Sequence, residues 1–443
     1  MLKTYKSHDC ILFIINLPNI CLKVLKRVFV GFLNNLIETK IISNFLNLSS
    51  IQLSNALLLI LIYPVITRII GIDNFGVMML ANTFSGLAGI AINYGTNQSG
   101  IRDVATNIND TRKLSSVFYV TLAIRLLIFI LYIITLIGIY WLNIKYYTYI
   151  LLALPIVIAE VLNPLFFYTG NEKLKIYNIS NLISKVIIIA VIIVVIKGPG
   201  DAKWVNTIIG AVTSATYLFL LGTGIVQFKL NFKIPEKHEM LKIGKENFFL
   251  TINNVSVQLQ QSLMVFALAK WGNASWLGAY SLCDKVIWST RIIIISVSNA
   301  IYPRAAHLYS EGPMIWKRYM KKMKGLMGLM FFMGSLIIFI FPGLCIQIIS
   351  GEKNEIATHF LRIMAFVPTV AAFNALNVVD LLLSKNTKTI FNISIILFVI
   401  ACISSFTFVK LESPFWIGTY TFLTEGSALL MYEYVIKKKS LNG

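Results

Sequence analysis

Residues 114–140 read Leu114-Ser-Ser-Val-Phe-Tyr-Val-Thr-Leu-Ala-Ile-Arg125-Leu-Leu-Ile-Phe-Ile-Leu-Tyr-Ile-Ile-Thr-Leu-Ile-Gly-Ile-Tyr140, with Arg125 the single charge among them. At about 1.5 Å of rise per residue, a helix of that length crosses the roughly 30 Å hydrocarbon core of a bilayer. A helix packed on a water-soluble core keeps a polar face, and this stretch has none. The segment is read as a transmembrane helix.

The rest of the chain has the same character. Of 443 residues 57% are hydrophobic and only 13% charged, with a mean hydropathy of +0.76. Soluble domains carry about 25% charged residues, so this chain has too little polar surface to cover a globule in water. Twelve candidate spans follow: 45–66, 76–97, 114–140, 147–169, 177–196, 204–226, 247–269, 275–302, 325–349, 357–383, 390–409 and 414–436. The five cysteines are scattered without a Cys-x-x-Cys pair and the four histidines are isolated, so neither disulfides, a metal site nor any other cofactor is expected.

The net charge of +20 could suggest nucleic acid, but its distribution argues for topology. With the N-terminus placed in the cytoplasm, 27 of the 39 Lys and Arg fall in the cytoplasmic segments and 7 in the opposite loops. This is the positive-inside bias of a multi-pass protein with both ends in the cytoplasm. A missed span would invert it downstream. No nucleic-acid partner is expected; the expected location is the inner (cytoplasmic) membrane. Residues 1–40 stand apart, with Lys23, Lys26 and Arg27 alternating with apolar residues. They fit either an interfacial helix on the anionic leaflet or an unstructured leader.

The two halves echo each other. Gly76 precedes Asn82 by six residues and Arg102 by 26; Gly278 precedes Asp284 by six and Arg304 by 26. Six spans return the chain to its starting side, so the duplication is a parallel repeat about an axis along the membrane normal. The expected fold is therefore an all-α membrane protein of about twelve transmembrane helices in two six-helix lobes around a central cavity. The expected boundaries are a leader at 1–40, an N-lobe at 41–226, a linker at 227–246, a C-lobe at 247–436 and a basic tail at 437–443.

Tyr63-Pro64, Thr67-Arg68, Gly71, Phe75-Gly76, Tyr94-Gly95 and Arg102, with Leu277-Gly278, Tyr280 and Ile301-Tyr302-Pro303, resemble the motifs of O-antigen flippases. These are polysaccharide-biosynthesis membrane proteins of the multidrug/oligosaccharidyl-lipid/polysaccharide exporter superfamily. The resemblance covers roughly residues 40–436. It implies alternating access and an undecaprenyl-pyrophosphate-linked oligosaccharide as cargo. It also implies partners among other polysaccharide assembly proteins, such as a polymerase or chain-length regulator.

Charges within spans call for a reason, since each costs about 2.5–3.5 kcal/mol at mid-membrane on insertion scales. Arg125, Glu160 and Lys185 lie roughly 14–17 Å from the cytoplasmic ends of their spans. They read either as a cationic cluster facing a cavity or, for Arg125 and Glu160, as a salt bridge tying two helices. Asp284, Trp288 and Arg291 share one helix face, as do Asn254, Gln258 and Gln261. With Asn82, these are the candidate cavity residues for a pyrophosphate and its sugars, Arg being able to fork onto two oxygens. Arg68, Arg102 and Arg304 are further candidates near span ends, where snorkelling to headgroups is the ordinary role. Glu160, Asp380 and Glu425 are the candidates for ion coupling. Two rivals remain open. A membrane enzyme would need a nucleophile or acid–base cluster that the short outer loops lack. A cation-coupled drug exporter on the same architecture would favour an acidic cavity.

Overall fold

The structure, a computed structural model, describes residues 61–141, 145–384 and 386–441. The leader at 1–40 and most of the first expected span lie outside them. Every regular element among the described residues is helical. The first half holds α1 (Tyr63–Ile70), α2 (Ile72–Asn93), α3 (Thr96–Thr106), α4 (Thr111–Tyr140), α5 (Tyr147–Leu152), α6 (Leu154–Leu162), α7 (Leu165–Gly170), α8 (Leu174–Val195) and α9 (Val205–Gln227). The second half holds α10 (Lys237–Trp271), α11 (Ala274–Glu311), α12 (Pro313–Ile340), α13 (Pro342–Ser350), α14 (Glu355–Met364), α15 (Val367–Leu383), α16 (Thr387–Lys410) and α17 (Pro414–Leu441).

Eight helical stretches of the described residues are long and apolar enough to cross a membrane. Their outer surfaces suit lipid rather than water: on α4, Leu127, Ile134 and Ile137 are 54–60% exposed. The long helices α10, α11 and α17 miss that standard because they carry Gln, Asn, Asp, Arg and Glu within the span. The same three helices supply much of the cavity lining.

Helices run past the expected span ends. The basic segment 303–324 is largely helical: α11 runs on to Glu311, and α12 starts at Pro313 after a single break at Gly312, whose φ is +136°. The first turns of α12 carry the cations Lys317 to Lys324 ahead of the ninth expected span, and that span breaks at Phe341 where Pro342 cannot donate to the helix ladder.

Breaks in the N-lobe are satisfied from neighbouring helices, as lipid requires. The second span turns at Tyr94 and Gly95, both in the left-handed region, with φ of 49° and 68°. Pro155 and Pro164 split the fourth span into α5, α6 and α7. Two of its carbonyls accept from another helix: Thr207 Oγ1 donates to Leu152 O at 2.6 Å and Ser214 Oγ to Pro155 O at 2.9 Å.

The repeat seen in the sequence has a geometric counterpart. α2 packs on α11, and there Gly76 meets Gly278, its repeat equivalent. A Cβ on Gly76 would lie 2.4 Å from Gly278 N, and one on Gly278 would lie 2.3 Å from Ile72 O. A residue touching its own repeat mate is what a two-fold axis running close by produces. Around this crossing a single apolar core takes Phe75 and Met78 from one half and Leu277, Tyr280 and Phe360 from the other. Arg68 adds a hydrogen bond to Ile348 O, one of the last carbonyls of α13. These joins lie at the face opposite the lysine-rich segments.

At the lysine-rich face the linker is strapped to the N-lobe. Ser116 Oγ donates to Glu239 at 2.7–2.8 Å, Lys233 Nζ reaches the same carboxylate at 3.1 Å, and Asn231 N donates to Ser115 Oγ at 3.1 Å. Glu239 belongs to the first turn of α10, before the seventh expected span. Burial pushes its carboxyl up, but the bonds from Ser116 and Lys233 outweigh burial and hold it below the usual carboxylate range. A lowered folded-state pKa stabilises the strap above the ordinary carboxylate pKa and loses that contribution as pH falls through the folded value. A nitroxide at position 234 should accordingly gain mobility on acidification below about pH 4. In Glu239→Gln that label is expected to be mobile already at neutral pH.

Candidate functional site: a polar cavity walled by the second half

A cavity of about 350 Å³ lies among α10, α11, α15, α16 and α17, with Thr83 of α2 closing one side. Its polar wall is built by helical spacing. Gln258 and Gln261 project from α10, Asp284, Trp288 and Arg291 from α11, and Thr421, Thr424 and Glu425 from α17. Backbone and hydroxyl contacts hold this wall: Tyr420 OH donates to Gln260 O at 2.7 Å, and Tyr280 OH meets Thr421 Oγ1 at 3.0 Å.

The charges at the centre are paired. Arg291 Nη2 lies 2.6 Å from Glu425 Oε1, both side chains being 17% exposed. Asn374 Nδ2 donates to the other oxygen, Oε2, at 2.7 Å. The Arg291 guanidinium also sits over the Trp288 ring, 5.8 Å from its centroid. Lys285 and Asp284 form a second pair at 3.4 Å. Two cations thus face two carboxylates, so the charged groups of this cavity balance. An anion entering here competes with Glu425 for Arg291, although a guanidinium has five donors and Glu425 engages one nitrogen.

The remaining expected site residues separate from this cavity. Arg125 is fully buried and works inside the N-lobe. Its Nε donates to Thr96 Oγ1 at 3.0 Å, Nη2 to Asn97 Oδ1 at 3.1 Å and Nη1 to Asn163 O. It also lies over the Phe166 ring at 5.1 Å. Arg125 thereby bolts the Tyr94–Gly95 turn to the carbonyl left open before Pro164. The expected salt bridge with Glu160 does not form; Glu160 packs on Gly89 of α2 and accepts from Asn163 at 3.4 Å. Arg125→Met would leave buried oxygens at both breaks without a donor, at a cost on the order of 3 kcal/mol. Thermal unfolding in detergent should show the loss, with Arg125→Lys recovering little of it because a lysine cannot reach three acceptors in one plane.

Lys185 is half-buried beside Leu61, Leu182 and Val186, in an apolar crevice on the outer side of α8. Arg102 is exposed and binds Asp103 at 2.9 Å and Glu246 at 3.2 Å. Arg304 is exposed near the end of α11, and Arg68 is held at the lobe junction. Asn82 and Asn254 are half-buried but stand outside the lining, Asn82 being the neighbour of Thr83. Asp380 accepts from Trp316 Nε1 at 2.6 Å. Sequence reading missed Asn374, Thr421 and Thr424. The last two continue the polar stripe of α17 that Glu425 marks, so the signal was present; Asn374 lies in an apolar helix and shows its role only by contact.

Known proteins resemble the chain both in sequence and in fold. The family model described as "Polysaccharide biosynthesis protein" matches residues 41–309. A protein of Escherichia coli (strain K12) named as an O-antigen transporter is 19% identical over 352 residues, covering 79% of this chain and 85% of that protein. One of Shigella dysenteriae with the same name is 22% identical over 348 residues, covering 75% and 84%. Among solved structures, an inward-facing multidrug resistance MATE family transporter of the MOP superfamily superposes with a TM-score of 0.70 at 14% identity, covering 87% of this chain and 95% of that one. Lipid II flippase MurJ in an inward closed conformation also gives 0.70 at 14% identity, covering 88% and 87%. The fold is thus the two-lobed, twelve-helix architecture of these transporters. The chain is a multi-pass membrane protein belonging to the polysaccharide biosynthesis protein family.

Proposed function

We propose that this protein is a flippase, carrying an undecaprenyl-pyrophosphate-linked oligosaccharide across the cytoplasmic membrane by alternating access. The Arg291–Glu425 pair in the cavity carries the reading: it offers a diphosphate a forked donor that is held in place but not saturated. Around it, Gln258, Gln261, Thr421 and Thr424 supply amides and hydroxyls for a sugar chain, and Trp288 supplies an aromatic face. The family and the names of the relatives support a lipid-linked glycan as cargo.

In this reading the lysine-rich face is cytoplasmic, with both termini on that side. The lobes span 41–226 and 247–436, joined by the strapped linker at 227–246, and residues 437–443 form a basic tail. The head enters between the lobes from the cytoplasmic leaflet while the lipid tail stays in the bilayer. The lobes then separate at the Gly76–Gly278 crossing and close at the lysine-rich face. Glu425 is the coupling residue, since its carboxylate must change partner when cargo takes Arg291. A polymerase or chain-length regulator would receive the product.

The two carboxylates of the cavity favour a second reading, a cation-coupled exporter of cationic drugs. Expression in two hosts separates them. A strain lacking its own O-antigen flippase should regain surface polysaccharide, and a strain lacking drug efflux pumps should stay drug-sensitive. The reverse pattern would overturn the flippase reading.

A further inference from the structure

From the cavity wall, α15 and α17 share a polar seam whose far end, Asn377 and Glu433, lies outside the lining. Glu425 and Glu433 lie eight residues apart on α17, about 12 Å along its axis. Each accepts a side-chain amide from α15: Asn374 Nδ2 donates to Glu425 Oε2 at 2.7 Å, and Asn377 Nδ2 to Glu433 Oε1 at 3.0 Å. Asn374 is 7% exposed and Asn377 is 0% exposed, and the Oδ1 atom of each is buried with no hydrogen-bond partner. Unpaired buried acceptors cost about 1–3 kcal/mol each. Ionised carboxylates cannot relieve them, because they have no proton to give. A water or a protonated carboxyl can. Asn374 and Asn377 stand one helical turn apart, so a water between them can donate to both oxygens.

The seam has a wet end and a dry end. Glu433 is 48% exposed and pairs with Lys324 Nζ at 2.6 Å, at the lysine-rich face. Glu425 ends the seam at the cavity, opposite Arg291. Other charged or titratable groups facing Glu425 are Asp284 and Lys285 from α11 and Tyr420 and Tyr432 from α17. The side chains that α10 and α16 bring to the cavity around it are neutral, among them Gln258 and Gln261 on one and Ser394 and Leu397 on the other. Beside Glu433, Lys437 follows one turn on along α17.

We propose that Glu433, Asn377, Asn374 and Glu425 form a proton relay from the lysine-rich face to the back of the cavity, loading Glu425 when an anion takes Arg291. The step balances simply. A diphosphate oxygen replaces Glu425 Oε1 on the guanidinium, and the carboxylate left without its cation accepts one proton. That proton comes from hydronium in bulk solvent at the Glu433 end and passes along water that hydrogen-bonds to the two amide oxygens. The protonated Glu425 then donates toward Asn374 Oδ1, which gains the partner it lacks. Because Asn377 and Glu433 lie outside the cavity lining, the proton arrives while cargo fills the cavity. This inference rests on the flippase reading for the identity of the anion and extends it to the ion that accompanies binding.

The test uses the full chain in detergent and inorganic pyrophosphate as probe, with time-resolved infrared detection of a protonated carboxyl. Wild type should develop that band on mixing, and Glu425→Gln should lack it. Asn377→Leu should reach the same amplitude at least tenfold more slowly, Asn377→Ser should restore the rate, and Glu433→Gln should slow it independently. Equal rates in wild type, Asn377→Leu and Glu433→Gln would overturn the relay. Arg291-dependent pyrophosphate binding without the band would overturn the relay and leave the flippase reading standing. Absence of Arg291-dependent binding would remove both.

Discussion

Arg291→Ala should abolish the export proposed above while leaving a folded protein in the membrane. In the flippase reading Arg291 is the cavity cation that grips a diphosphate, and alanine removes every donor at once. The variant strands Glu425, and breaking a fully buried ion pair costs about 3–5 kcal/mol. Here both side chains keep 17% exposure and Asn374 still binds the carboxylate, so the penalty falls below that range. Arg291→Ala/Glu425→Ala removes the stranded charge and should recover stability without recovering transport. That separation of folding from export is what a binding role demands. Arg291→Lys should retain a few per cent of export, because an ammonium is a point donor without the planar fork. The checks are membrane abundance by immunoblot, thermal unfolding of the purified variants, and surface glycan in a flippase-null strain.

Gly278→Val should be nearly as damaging for a different reason. The space for its Cβ is taken by backbone: Ile72 O would sit 2.3 Å away and Asp73 Cα 3.1 Å away. Backbone in two packed helices cannot step aside as a long side chain can, so α2 and α11 must move apart. Each half folds around its own helices, so the expected result is a protein that inserts normally but cannot close the lobes at this crossing. Cysteines introduced at positions 73 and 277 should cross-link in wild type and fail to do so in Gly278→Val. Gly76→Val should give the same result from the other side of the axis. By contrast Gly138→Val, on lipid-facing α4 with open space around it, should be silent.

These two positions also show how far the sequence could be read. Gly76 and Gly278 were visible as equivalent members of a duplicated spacing, and a parallel repeat brings such residues near its axis. That they touch could not be read, because contact depends on how two helices 200 residues apart cross. Arg291 and Glu425 were each legible as a charge within a span, which lipid does not tolerate without cause. Their pairing was not legible, since 134 residues separate them and either could have faced an aqueous cavity alone. Arg125 carries the same lesson in reverse. Its depth left open a cavity cation or a salt bridge to Glu160, whereas the structure assigns it to the broken fourth span, where it binds the carbonyl of Asn163 ahead of Pro164. Proline and glycine marked where the backbone breaks, but not which side chain repairs each break. The polar composition of α10, α11 and α17 was the most faithful signal, for those helices supply most of the polar wall.

The most direct measurement is translocation by the purified chain in proteoliposomes. A fluorescent undecaprenyl-pyrophosphate-linked oligosaccharide is placed in both leaflets, and its loss of accessibility to an external glycan-modifying reagent is followed with time. Exchange between leaflets is expected with wild-type protein, and none above protein-free vesicles with Arg291→Ala. Exchange by Arg291→Ala at the wild-type rate would contradict it, because the cation in the cavity would then have no part in carrying the diphosphate.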